Sequence, residues 1–240
     1  MTKPMKEWTV LPHGKLTQVD EGLLTVVGEL KMPLGDFTRR MTVVRLDDDR
    51  LVIYSAIALD EPEMRQLEAY GDPAFLIVPN DLHRIDVKVW KDRYPELIVV
   101  APPGAREKVS EVVSVDADAV DFKDSSVSYL NVLGTEGSEA ALIVRRRAGA
   151  TLVVNDLIWN VPDQPGFGGW LFHAMGLSGD RPVIPFVAKM HTIRDRSAVR
   201  HQLQEWSRLY GLHRIIVSHG DIIGSEAPIV LRELANGLAA

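Results

Sequence analysis

The 240-residue sequence contains no cysteine. That excludes a disulfide framework, a thiolate nucleophile and any cysteine-ligated zinc or iron–sulfur cluster, so a metal would have to be held by histidine, aspartate or glutamate. No apolar run reaches the 18 or so uncharged residues a membrane helix needs, and the first ten residues, MTKPMKEWTV, have no apolar signal core. The chain reads as cytoplasmic, with no membrane partner. It also lacks a basic excess: 27 Lys and Arg stand against 33 Asp and Glu, a formal charge of −6. This argues against nucleic acid as a partner, because that binding rests on clustered cations neutralising phosphates. The one basic run, Arg145 to Arg147, alternates faces of a strand and reads as a solvated edge. Several motifs are missing too: G-x-S-x-G, G-x-x-x-x-G-K-[ST], H-E-x-x-H and G-x-G-x-x-G.

The apolar fraction of 46% is enough for a packed core, and the length suits one domain spanning 1–240. Three β-rich runs, 23–30, 37–46 and 51–59, are separated by MPLGD and DDDR and predict an antiparallel meander. The spacing of Met64, Leu67 and Tyr70 after an acidic first turn predicts a helix over 60–70, closed by Gly71. Buried strands follow at 73–79 and 96–103, with helical spacing over 80–94 between them and a helix from 104 to 112. Three further strand-like runs, 127–134, 139–147 and 151–160, make a second meander. A Pro/Gly-rich loop covers 162–169, and helices follow near 168–176, over 194–210 and over 227–238, with a buried strand from 213. Trp170 and Trp206 read as packing residues. Two meanders that each need cover on the outer face predict an α/β architecture, a four-layer αββα sandwich.

Candidate chemistry lies just after the buried apolar runs, where strand ends open beside helix N-termini. Asn80, Asp81 and His83 follow FLIVP, Asp156 interrupts LVVNDLIW, and Ser218, His219 and Asp221 follow RIIV. Imidazole and carboxylate suit zinc, iron or manganese, but no one of these places could hold an ion alone. Blander readings stand beside each: Asn80 and Asp81 as helix caps, Asp221 as the cap of the last helix. Asp156 is the hardest to dismiss, because a carboxylate among Leu, Val and Ile is costly unless paired. Ser218, His219 and Asp221 are too crowded on one turn to act as a hydrolytic triad. His13, His173, His191, His201 and His213 read as ordinary histidines.

The stretches RRMTVVRL (39–46), LVIYSAIAL (51–59), VPNDLH (78–83), WKDRYP (90–95), LVVNDLIWN (152–160) and IIVSHGDII (215–223) occur in an order that resembles the metallo-β-lactamase-fold hydrolases, in a branch with a degenerate metal-binding motif. The likeness covers most of the chain. It implies the αββα sandwich and a metal centre that activates water against an ester, amide, thioester or phosphoester. PNDLHR takes the place of the superfamily's His-x-His-x-Asp-His loop but offers only His83, and LGTEGSEAAL lacks the histidine of the Gly-His motif. Asp156 falls where the bridging aspartate would be and His219 where the final histidine would be. The resemblance therefore implies His83, Asp156 and His219 as ligands of one zinc, iron or manganese ion, with Asp81 or Asp221 as general base. Two readings stay open: a metal-dependent hydrolase of a small-molecule substrate, and a metal-free relative whose cleft binds a ligand or partner protein. A homo-oligomer is compatible with either.

Overall fold

In the computed structural model, residues 3–32, 35–163 and 165–238 are described. Pro33 and Leu34, in the turn expected at 32–36, and Gln164, in the loop expected at 162–169, lie outside them. The first sheet has six strands in sequential order, β1 (Thr17–Asp20), β2 (Leu23–Met32), β3 (Gly35–Arg45), β4 (Arg50–Tyr54), β5 (Asp72–Ile77) and β6 (Ile98–Val100). β1 to β4 pair antiparallel, and β4, β5 and β6 pair parallel. The second sheet repeats the plan with four strands: β7 (Val127–Asn131), β8 (Ala140–Arg146) and β9 (Gly149–Val154) are antiparallel, and β10 (Leu212–Val217) joins β9 in parallel. β1 is a strand that the sequence pattern does not announce, being four residues with only half of them partly buried.

Burial explains why the strands read as continuous apolar runs rather than alternating ones. In β4, Leu51 and Ile53 face an outer core with α1 (Glu61–Tyr70), α2 (Val87–Arg93) and α3 (Pro103–Ser110), while Val52 and Tyr54 face the other sheet. In β9, Leu152 and Val154 pack on the far side with α5 (Arg196–Ser207) and α6 (Ala227–Gly237), while Val153 joins the layer between the sheets. Strands covered on both faces have no polar side to show. The outcome is helices, sheet, sheet, helices, as the two meanders predict.

Helix termini follow local chemistry. The Asp60 carboxylate accepts from the Glu63 amide at 3.1 Å and caps α1, and Asp195 accepts from the Ser197 and Ala198 amides to start α5. The expected helix over 80–94 is cut to Val87–Arg93, because side chains rather than a helical ladder hold residues 80–86. The expected strand over 151–160 ends at Val154, since the Asp156 amide leaves the ladder for the Glu139 carboxylate. α4 spans Gly166–Ala174, earlier than its expected start, and a π-helical turn at Ala188–Thr192 had no signal in the spacing. Trp206 is in the core, 2% exposed, but Trp170 is 62% exposed on α4 and is not a core packing residue. Asp221 does not cap the last helix, which begins at Ala227 after Glu226. No helix among the described residues is long and apolar enough to cross a membrane.

Candidate metal centre

The parallel pairs β4–β5 and β9–β10 place four strand ends together, and the polar residues after them converge. His83 arrives on the loop after β5, Asp156 two residues after β9 and His219 two residues after β10. His219 Nε2 stands 2.8 Å from Asp156 Oδ1, and His83 Nε2 stands 3.3 Å from the same oxygen. One donor atom from each residue lies within 4.8 Å of the other two, and among the described residues this is the only group of three that could hold a metal. Asp81, half-buried in the loop between Asn80 and His83, and Asp221, exposed after His219, lie outside the group. The backbone of Asp221 instead exchanges hydrogen bonds with Asn160.

Each imidazole is held from behind. His219 Nδ1 lies 2.7 Å from the Thr38 carbonyl in β3. A carbonyl only accepts, so Nδ1 carries the proton and Nε2 is the nitrogen turned to Asp156. Facing a carboxylate oxygen that also only accepts, that nitrogen needs a cation between them, either a second proton or a metal ion. His83 Nδ1 is 2.7 Å from Ser55 Oγ, on a residue with φ of +58° at the end of β4. The Trp159 ring lies 4.7 Å from the His219 ring, centroid to centroid. Donors sharing a tetrahedral zinc at about 2.0–2.1 Å stand about 3.3 Å apart. The His83 to Asp156 separation already matches, the His219 to Asp156 separation is half an ångström short, and all three donor atoms lie within 4.8 Å of one another, so the donor set suits one ion after a readjustment of the group.

Behind Asp156 lies a second carboxylate. Glu139, fully buried just before β8, accepts from the Asp156 amide at 2.7 Å and from Asn80 Nδ2 at 3.1 Å. Asn80 Nδ2 also donates to Asp156 Oδ2 at 2.7 Å, while Asn80 Oδ1 accepts from the Leu82 and His83 amides at 3.0 and 3.1 Å. Asn80 thus does not cap a helix, since α2 begins only at Val87; it holds the turn through Oδ1 and donates toward the ligands through Nδ2. Burial, reinforced by the Asp156 charge, pushes the Glu139 carboxyl well above its usual range. Burial also works against ionised Asp156, but the two imidazoles outweigh it and hold that carboxyl well below its usual range.

Two arginines of β3 fix the loops that carry the histidines. Arg39 forms a buried ion pair with Asp86, whose Oδ1 also accepts from the Ala58 amide at 2.9 Å. Arg40 Nε donates to the Val217 carbonyl at 3.1 Å and its Nη2 to the Gly220 carbonyl at 2.7 Å, bracketing His219. Burial lowers the pKa of Arg40, against the opposing charge of Asp221. Gly220 has φ of +92°, and a Cβ there would stand 2.0 Å from the Asn160 carbonyl oxygen, so the turn after His219 needs glycine. Ser55, Glu139, Arg39 and Arg40 escaped the sequence reading. Glu139 had a signal, being a carboxylate that opens the apolar run AALIV just as Asp156 closes another.

No protein-family model matches the chain, and no curated protein matches it in sequence. Among solved structures it is similar to the metallo-β-lactamase FIM-1 from Pseudomonas aeruginosa in its mono-zinc form, with a TM-score of 0.60 and 13% identity over 95% of this chain and 96% of that one. It is similar to the DIM-1 metallo-β-lactamase exposed to ceftazidime, with a TM-score of 0.63 and 11% identity over 97% and 100% of the two chains. A metallo-β-lactamase from Erythrobacter litoralis, with β-mercaptoethanol in its active site, gives a TM-score of 0.58 and 13% identity over 92% and 96%. The chain therefore has the metallo-β-lactamase fold, with a His-Asp-His group that could hold a metal.

Proposed function

We propose that the protein is a metal-dependent hydrolase of a small-molecule substrate, with one ion held by His83, Asp156 and His219. The observation that carries this reading is the approach of His219 Nε2, its tautomer set by the Thr38 carbonyl, to a carboxylate oxygen at 2.8 Å. Two imidazoles and a carboxylate suit zinc, iron or manganese, and three protein ligands leave a position for water. A bound ion would supply Lewis acidity and a water acidified toward neutral pH. The chain's own residues supply orientation: Ser55 and the Thr38 carbonyl aim the two rings, and Trp159 packs against one of them. Asp81 and Asp221, which flank the ligand loops, are the candidates to take a proton as general base.

Elemental analysis of untagged protein, expressed with zinc, iron and manganese and purified without chelator, tests this. About one ion per chain is expected, lost in Asp156→Ala and in His219→Ala. Folded protein with no metal sinks the reading. It would favour a metal-free binding module, which one observation supports: Asp156 has protein donors on both oxygens when the imidazoles are protonated. With metal present, Asp81→Asn and Asp221→Asn are expected to separate the base from the bystander by a fall in kcat in only one of them.

A further inference from the structure

Asn80, Glu139 and Asp156 close a ring of hydrogen bonds drawn from three loops. The Asp156 amide donates to Glu139 Oε1, Asn80 Nδ2 donates to Glu139 Oε2, and the same nitrogen donates to Asp156 Oδ2. Asn80 is 4% exposed and Glu139 is fully buried. The chemistry fixes the amide's orientation: the Leu82 and His83 backbone amides only donate, so Oδ1 must face them and Nδ2 the two acids. An aspartate at 80 could keep the turn but could not donate. Serine could keep the turn but could not reach. Asparagine does both, and through its two ends joins the backbone of His83 to the carboxylate of Asp156.

Resting on the metal reading above, we propose that Asn80, held by Glu139, is the positioning residue of the centre: by occupying Asp156 Oδ2 it presents Oδ1 alone to the ion, and it sets the distance between the His83 and Asp156 loops. A carboxylate so held binds an ion through one oxygen. Released, it can swing or offer both. Outer partners of this kind change metal affinity by about 10- to 100-fold when removed.

Cobalt(II) is the probe, with wild type, Asn80→Ser and Glu139→Gln compared by competition with a chromophoric chelator, by visible absorption and by thermal unfolding without metal. Asn80→Ser retains an acceptor for the turn but not the reach; Glu139→Gln keeps the volume but leaves one of the two donors facing an amide. Wild type is expected to bind one cobalt with the strong absorption of a four-coordinate ion. Both variants are expected to bind about 10- to 100-fold more weakly and to absorb less per cobalt as Asp156 turns toward two-oxygen binding. A wild type that takes up cobalt, with variants that match its affinity and spectrum while only their unfolding midpoints fall, overturns the proposal and leaves the metal reading standing. A wild type that takes up none overturns the metal reading itself. If Asn80→Ser does not fold, Glu139→Gln decides by the same two readouts.

Discussion

Arg40 is 8% exposed and spends its guanidinium on two backbone carbonyls either side of His219. Replacing it with methionine keeps most of the stem and leaves both acceptors without a charged donor. Since hydrogen bonds to charged groups contribute about 1.5–3 kcal/mol each, losing the two is expected to make Arg40→Met lower the unfolding free energy by about 3–6 kcal/mol, read from urea denaturation. Asp20 offers a pH test away from the centre. Burial opposes its ionisation, but the hydrogen bond and charge of Arg214, at 2.7 Å, leave its carboxyl below the usual range. A depressed carboxyl contributes stability in full above its unfolded pKa of about 3.9 and loses it as pH falls through the lower folded value. Asp20→Asn is therefore expected to be less stable than wild type at pH 7, with the difference closing as pH falls below about 4. A difference that does not depend on pH would show that the Arg214 pair contributes nothing through charge.

Elements were legible in proportion to how far short-range pattern controls them. The helix around Val199, Leu203 and Trp206 shows its buried stripe at three- and four-residue spacing, and the observed α5 lies inside the expected range. The loop at 80–86 did not show, because helical spacing and a tertiary tie compete there: Arg39 from β3 claims Asp86, and Asn80 claims the amides that would have begun the helix. The ligand trio was readable from carboxylate and imidazoles placed after apolar runs. Two of their supports were not, since Ser55 and Thr38 meet the ligands across 28 and 181 residues of chain and no periodicity links them. The turn after β10 gives a test at this scale. Gly220→Ala meets the Asn160 carbonyl and an unfavourable φ, so the turn must shift and carry His219 with it. Loss of metal uptake is expected with far-UV circular dichroism unchanged; full uptake would show that the turn tolerates the methyl group in place.

For the whole molecule, an ion bound by the folded chain and not by the unfolded one raises stability by mass action. At a free concentration of about 100 times the dissociation constant the gain is about 2.7 kcal/mol. For a chain of this size that corresponds to a rise in midpoint of several degrees. Thermal unfolding with chelator and then with increasing zinc is expected to show a midpoint that climbs with the logarithm of zinc, and one that ignores zinc counts against a site in the native state. The layered plan itself was foreseen from the two meanders. The sheet pairing that brings β4–β5 beside β9–β10 was not, because strand ends more than 70 residues apart meet only through the packed layer between the sheets.

His83 comes from the first sheet's half of the chain, whereas Asp156 and His219 come from the second's. The trio is in this sense a clasp across a seam, and neither half possesses it alone. If the backbone were cut in the polar stretch between α3 and β7, the two fragments should re-join through their shared apolar layer, and an ion at the clasp should tighten that re-joining by the same free energy with which it stabilises the intact chain. Fragment association measured with and without zinc would thus weigh the centre as a fastener, independent of any reaction it performs.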